Sequence, residues 1–216
     1  MKKNLTDEIL MKEARIFSNS QSSLQFKDLF GITDGKAVGT YIEHKFREYL
    51  AENYLFEKGN SARGIDFPDL GVDVKVTSIK QPQSSCPYKS VRQKIFGLGY
   101  SLLVFVYEKT DDHIQKSSKL NFLHTLFVEK EYTADYQTTK GIIQILENEG
   151  NKEDLVAFMY DRNLPLDEIE ANEIAEDLLL EKPLQGYLTI SNALQWRLQY
   201  GRVIQLAGQV KGICKL

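Results

Sequence analysis

Only two cysteines occur in the 216 residues, Cys86 and Cys214, and no C-x-x-C is present. That excludes a disulfide framework and a zinc knuckle, and implies a reduced, cytoplasmic setting. No apolar run approaches the roughly 18 residues of a membrane span. The N-terminal MKKNLTDEILMKEARIF meets Asp7 and Glu8 before any apolar core, so it does not read as a signal peptide. Low-complexity tracts are missing, as is any repeat of roughly 20–50 residues. No Gly-rich phosphate loop, Ser/His/Asp set or Cys/His pair is visible. The three histidines, His44, His113 and His124, are scattered, and His44 beside Glu43 reads as exposed rather than catalytic. What remains is ordinary globular material, 42% hydrophobic and 26% charged, long enough for one domain or one with a small appendage.

The formal charge of −3 conceals a segregation. Between Gly141 and Lys182 stand twelve acids and three bases, so this segment carries −9 and the remainder +6. Two stretches contain no acid at all. Val74 to Tyr107 holds Lys75, Lys80, Lys89, Arg92 and Lys94; Pro183 to Leu216 holds Arg197, Arg202, Lys211 and Lys215. A local field of one sign steers a polyanion even when the total is negative.

Patterning predicts a helix over Thr6–Phe17 capped by Thr6, followed by a polar SNSQSS loop. A second helix is expected over Lys36–Tyr54, where Val38, Ile42, Phe46, Tyr49 and Leu50 form one stripe. Short strands follow at Gly64–Phe67 and Val72–Ser78, around the turn formers Pro68, Asp69 and Gly71. Ser90–Leu98 reads as helix, and Leu102–Tyr107 as a strand buried on both faces. Asn121–Val128 is another strand, and helices are expected at Thr138–Glu149, Lys152–Arg162 and Asp167–Glu181. The expected fold is α/β: a mixed central sheet flanked by helices over residues 1–137, then a mainly helical C-terminal unit over 138–216.

The chemistry concentrates in Gly64-Ile65-Asp66-Phe67-Pro68-Asp69-Leu70-Gly71-Val72-Asp73-Val74-Lys75. Asp73 and Lys75 are two apart in a strand and project from one face. A hairpin closed at Pro68 and Gly71 sets Asp66 opposite Asp73, with Cβ atoms about 5 Å apart. Two carboxylates that close repel by roughly 3 kcal/mol at an effective dielectric near 20, so the arrangement calls for a cation between them. Carboxylate oxygens with room for waters suit magnesium. Such a metal binds a scissile phosphate and acidifies a water, while Lys75 orients that water or stabilises the developing charge.

On Asp66, a gap of six residues, and Asp73-Val74-Lys75, the sequence resembles the PD-(D/E)xK nuclease superfamily, which includes most type II restriction endonucleases. The resemblance spans about residues 36–128. It implies a restriction-endonuclease-like fold, with Asp66 and Asp73 as Mg²⁺ ligands, Lys75 as catalytic lysine, and Glu43 from the preceding helix completing the site. The literal Pro-Asp pair is Pro68-Asp69, which leaves Asp69 as the alternative first ligand. The resemblance further implies a magnesium-dependent, sequence-specific endonuclease that hydrolyses double-stranded DNA to 5′-phosphate ends as a homodimer. A strand-nicking repair endonuclease of the same fold and a catalytically inert DNA-binding regulator are the alternatives.

Several polar residues are candidates for DNA contact. Thr77 shares the parity of Asp73 and Lys75, and Gln81, Gln83 and Ser84 lie in a polar loop able to read base edges. Lys89, Arg92 and Lys94 open the next helix as phosphate contacts. From about residue 167 to the end, the order of helices and a final hairpin resembles a winged helix-turn-helix, with a recognition helix after Thr189 or Ser191 and strands at Arg202–Leu206 and Val210–Ile213. That resemblance adds Ser191, Asn192, Gln195 and Arg197 as base contacts.

Overall fold

In a computed structural model, residues 2–57, 59, 64–85, 89–191 and 196–216 are described. A short strand β1 (Lys3–Asn4) leads into helix α1 (Asp7–Gln21), which starts where the Thr6 hydroxyl accepts the Ile9 N–H. The helix runs four residues past its expected end. The hydroxyls of Ser18 and Ser20 bond back to carbonyls three residues earlier, and Ser18 and Gln21 are buried, so these polar residues extend the helix instead of forming a loop. Strand β2 (Gln25–Phe26) follows, then α2 (Gly35–Asn53), capped by Asp34, which buries the expected stripe of Val38, Ile42, Phe46 and Leu50. Strand β3 (Tyr54–Leu55) pairs in parallel with β1.

The main sheet is built on β4 (Val72–Ser78), β6 (Ser101–Asp112) and β7 (Ser117–Val128). β4 pairs in parallel with β6, and β6 antiparallel with β7. β10 (Ile213–Lys215) and β2 both pair antiparallel with β7, so the order is β10-β7-β6-β4, with β4 at an edge. Both faces are covered, as the unbroken apolar run in β6 requires. Leu103, Phe105 and Tyr107 pack with Val72, Val74 and Val76 under α1 and α2. Leu102, Val104 and Val106 face the other way, against Leu188, Ile190, Trp196, Leu198, Tyr200 and Val203. A third cluster joins Val91 and Ile95 around α3 (Arg92–Phe96) to α4 (Tyr136–Glu147), α5 (Lys152–Asp161) and α6 (Glu168–Leu180). Between β7 and α4 lies one 3-10 turn, Lys130–Tyr132.

The C-terminal unit departs from the winged-helix expectation. Residues Thr189–Ile190 form strand β8 and Arg197–Gln199 form β9, where a recognition helix was expected. Gly201–Leu206 is helix α7, where a wing strand was expected. The cause is the two-residue alternation of Trp196-Arg197-Leu198-Gln199-Tyr200: the three apolar side chains are buried while Arg197 and Gln199 are exposed, a strand period. β9 lies between β8 and β5 (Gln83–Ser85), antiparallel to both, in a second sheet of order β5-β9-β8. The last strand, β10, belongs to the main sheet, so the chain end shares its core.

If the strand period governs this segment, Leu198→Ala will lower the unfolding free energy by about 2–5 kcal/mol. Its neighbour Gln199→Ala will stay within about 0.5 kcal/mol of wild type, both read from urea denaturation.

Candidate active site

The expected strand at Gly64–Phe67 reduces to one antiparallel bridge, Phe67 to Val72. Phe67 N–H donates to Val72 C=O at 2.9 Å, and Val72 N–H returns a bond to Phe67 C=O at 3.2 Å. The turn Pro68–Gly71 closes with Gly71 at φ 62°, a left-handed conformation that glycine adopts without a Cβ penalty. This register carries Asp66 to Asp73. One Asp66 oxygen accepts the Val74 N–H at 2.9 Å, and the other meets the Arg47 guanidinium at 3.4 Å. Asp69 is turned away, and its carboxylate accepts the Glu57 N–H at 2.9 Å.

Asp73, Lys75 and Thr77 pair with Leu102, Val104 and Val106, which fixes their side chains on the sheet face opposite α2. Asp73 is 3% exposed. Its carboxyl holds the Lys75 ammonium at 2.6 Å. Burial pushes the Asp73 carboxyl up to about 7; Lys75 opposes that shift, and a hydrogen bond to Asp66 reinforces it. Lys75 is half-buried, which favours its neutral form, yet the attraction of Asp73, Glu43 and Asp66 holds it above the ordinary lysine range. Glu43, half-buried on α2, reaches the same charges around the edge of β4. Burial raises its carboxyl, and Asp66 raises it further against Lys75 and Arg47.

α2 can lie so close because residue 39 is glycine: a Cβ there would stand 3.3 Å from the Val76 carbonyl. Gly39 is thus a point of contact between α2 and β4. Arg47 carries no motif of its own in the sequence; the signal for it is its place one helical turn after Glu43, which puts both on one face. A groove of about 250 Å³, lined by His44, Arg47, Glu48, Ala51 and Gly59, opens beside it.

No group of three or more His, Cys, Asp or Glu side chains spaced to hold a metal stands among the described residues. The donor set is the pair Asp66 and Asp73, with Glu43 nearby. Magnesium commonly takes one or two protein carboxylates and fills its other positions with water and phosphate oxygens, so this pair fits it.

The expected DNA contacts divide. The Thr77 hydroxyl is buried and bonded to the backbone of Gln83, accepting its N–H at 3.0 Å and donating to its carbonyl at 3.1 Å, so it positions β5. Ser84 turns inward to Tyr200, hydroxyl to hydroxyl at 2.6 Å. Lys94 is 3% exposed and donates to the Ile190 carbonyl at 2.8 Å; burial lowers its pKa, and this lysine is no surface phosphate contact. Arg92 pairs with Asp177 on α6. The Ser191 hydroxyl accepts the Arg197 N–H at 3.0 Å. Gln81, Lys89 and the Arg197 side chain are exposed, and Gln83 is half-buried. Asn192 and Gln195 lie outside the described residues.

Among the described residues, no helix is long and apolar enough to cross a membrane. No solved structure matches the chain. It is 66% identical over 209 residues to a type II restriction enzyme, NspV, of Nostoc sp. strain PCC 7524, with 97% of this chain and 95% of that protein covered. The profile of the family described as type II restriction enzyme NspV matches residues 4–215. The carboxylate–lysine edge of β4 thus sits in a chain that belongs to the NspV family of type II restriction enzymes, site-specific deoxyribonucleases.

Proposed function

We propose that this restriction endonuclease hydrolyses a phosphodiester in each strand of a double-stranded DNA target with Mg²⁺ held by Asp66 and Asp73, in a fold of the PD-(D/E)xK type. The observation that carries this is the convergence of Asp66, Asp73 and Lys75 at one edge of a sheet, with Glu43 beside them. Bound there, the ion would polarise the phosphate and acidify a water. Asp66 is oriented for its role by the Val74 N–H and Arg47. Lys75 presents an ammonium, kept charged by three carboxylates, to the charge that develops on the phosphoryl oxygens. Glu43, within electrostatic reach of Asp66 and Lys75, completes the negative cradle or takes a proton from the attacking water. Release of a 5′-phosphate follows from the family resemblance, as does a homodimer presenting one such site to each strand of a palindromic target.

Plasmid DNA with Mg²⁺ should yield discrete double-strand fragments; an accumulation of nicked circles as the final product would favour the strand-nicking reading. Lys75→Ala should slow cleavage by about 10²–10³-fold. Asp66→Ala and Asp73→Ala should be at least as damaged, whereas Asp69→Ala should keep near wild-type rates. Equal activity of Asp73→Ala and wild type would remove this site from consideration.

The metal-free protein should also respond to pH. A carboxyl raised from 3.8 to about 7 by folding favours the protonated folded state. Its stabilising contribution is full below pH 4 and fades as pH rises through about 7. The melting temperature without metal should therefore drop between pH 5 and pH 8, and Asp73→Asn should flatten that drop. An unchanged slope in the variant would show that Asp73 ionises normally.

A further inference from the structure

The small sheet β5-β9-β8 has no part in the carboxylate site, yet it is assembled from the two acid-free stretches of the chain. β5 comes from Val74–Tyr107, and β8 and β9 from Pro183–Leu216. The central strand β9 pairs Gln199 with Gln83 and Thr189, Leu198 with Ser84 and Ile190, and Arg197 with Ser85. The middle row points inward: Leu198 and Ile190 are buried, and Ser84 is bonded to Tyr200. By the two-residue alternation of a strand, Gln83, Ser85, Arg197 and Gln199 share the opposite, outward face. Ser85, Arg197 and Gln199 are exposed there. The Arg197 guanidinium makes no salt bridge among the described residues.

This face is held rigid from behind. The Ile190 carbonyl accepts from Lys94 at 2.8 Å, and the Ile190 N–H donates to Asp135 at 2.8 Å. Two buried, oppositely charged side chains thus clamp both backbone groups of one strand residue. At the other end, Thr77 grips the backbone of Gln83. Thr77 is two residues beyond Lys75, or about 7 Å along the strand, so the ribbon is indexed directly to the catalytic strand. A rigid polar element at a fixed offset from the chemistry is what a sequence-reading device requires.

We infer that the outward face of β5-β9-β8 is a base-reading ribbon of this enzyme, inserted in the major groove, in which Arg197 reads a guanine and the paired amides of Gln83 and Gln199 read adenine. Antiparallel ribbons fit that groove, and the donor patterns match: a guanidinium spans the two acceptors of guanine, and a carboxamide the donor and acceptor of adenine. The inference rests on the DNA-cleaving reading and supplies its specificity element, in place of a recognition helix.

The test uses full-length protein and duplexes carrying the wild-type target with each position varied in turn, with cut ends sequenced. Arg197→Ala should lose about 5- to 150-fold in kcat/KM on the target and lose its preference at one guanine position. Gln199→Ala should relax an adenine position. Both should melt like wild type, since the side chains are exposed. A uniform loss across all duplexes with a shallower salt dependence would make Arg197 a phosphate contact and overturn the inference, as would unchanged preference in both variants. Failure of the metal-site reading is distinguishable, because Asp73→Ala acts on the rate of cleavage whereas the ribbon variants act on the sequence of the cut ends.

Discussion

The free edge of β4 is the constraint on which the site depends. In a strand paired on one side only, alternate backbone groups face away from the sheet, and here those of Val72, Val74 and Val76 do so. Each is engaged by something other than a strand. Phe67 exchanges two bonds with Val72, Asp66 takes the Val74 N–H, and Gly39 of α2 packs over the Val76 carbonyl. An additional strand at that edge would satisfy the same groups but displace Asp66 and hold Glu43 away. The open edge therefore lets a carboxylate from the turn and a helix side chain reach residues on the far face of the sheet. The Phe67, Asp66 and α2 contacts also shield part of an edge that another chain could otherwise pair with.

The same arrangement sets an electrostatic tension. Asp73 is buried against Asp66, and one lysine cannot neutralise three carboxylates. Arg47 restores part of the balance at Asp66, at the long distance expected of a positioning contact rather than a tight pair. A net negative cradle facing solvent suits a divalent cation and a polyanionic substrate arriving together, each reducing the cost of binding the other. Replacing these groups with apolar residues would favour folding and, on the proposed reading, end cleavage. Stability has been given up here for a site that needs its missing charge supplied from outside.

Much of this was legible in the sequence because it depends on parity and short loops. The Phe67–Val72 bridge fixes the pairing of Asp66 with Asp73 by counting alone, and the two-residue spacing of Asp73 and Lys75 needs only that β4 be extended. The α2 stripe and the apolar run in β6 were equally local signals. The C-terminal ribbon was not legible in the same way. Its strands are only two and three residues long, and β9 finds its outer partner in β5, more than a hundred residues earlier. Helix capping residues at Thr189 and Ser191 competed with the alternation of Trp196–Tyr200, and the alternation prevailed because three apolar side chains could be buried at once. The burial of Lys94 is illegible for a related reason. Its burial depends on the Ile190 carbonyl and on Asp135, both remote in sequence.

Net charge is a poor guide to this surface for a structural reason. The acids of residues 141–182 lie in α4, α5 and α6 and their connections, where Arg92–Asp177, Lys152–Glu176 and Lys182–Glu147 pairs neutralise part of them. The two acid-free stretches meet instead in β4, β6 and the small sheet, on the side of the main sheet that carries Asp73 and Lys75. Fields from exposed charges decay over roughly 8–10 Å at ordinary ionic strength, so local charge, such as the exposed Arg197 on the small sheet, counts for more than the formal total. A formal −3 spread over one molecule is therefore compatible with a face that attracts DNA, and it limits non-specific adhesion elsewhere. On the proposed reading, segregating the charge would keep the polyanion on the side where the carboxylate–lysine edge can act on it.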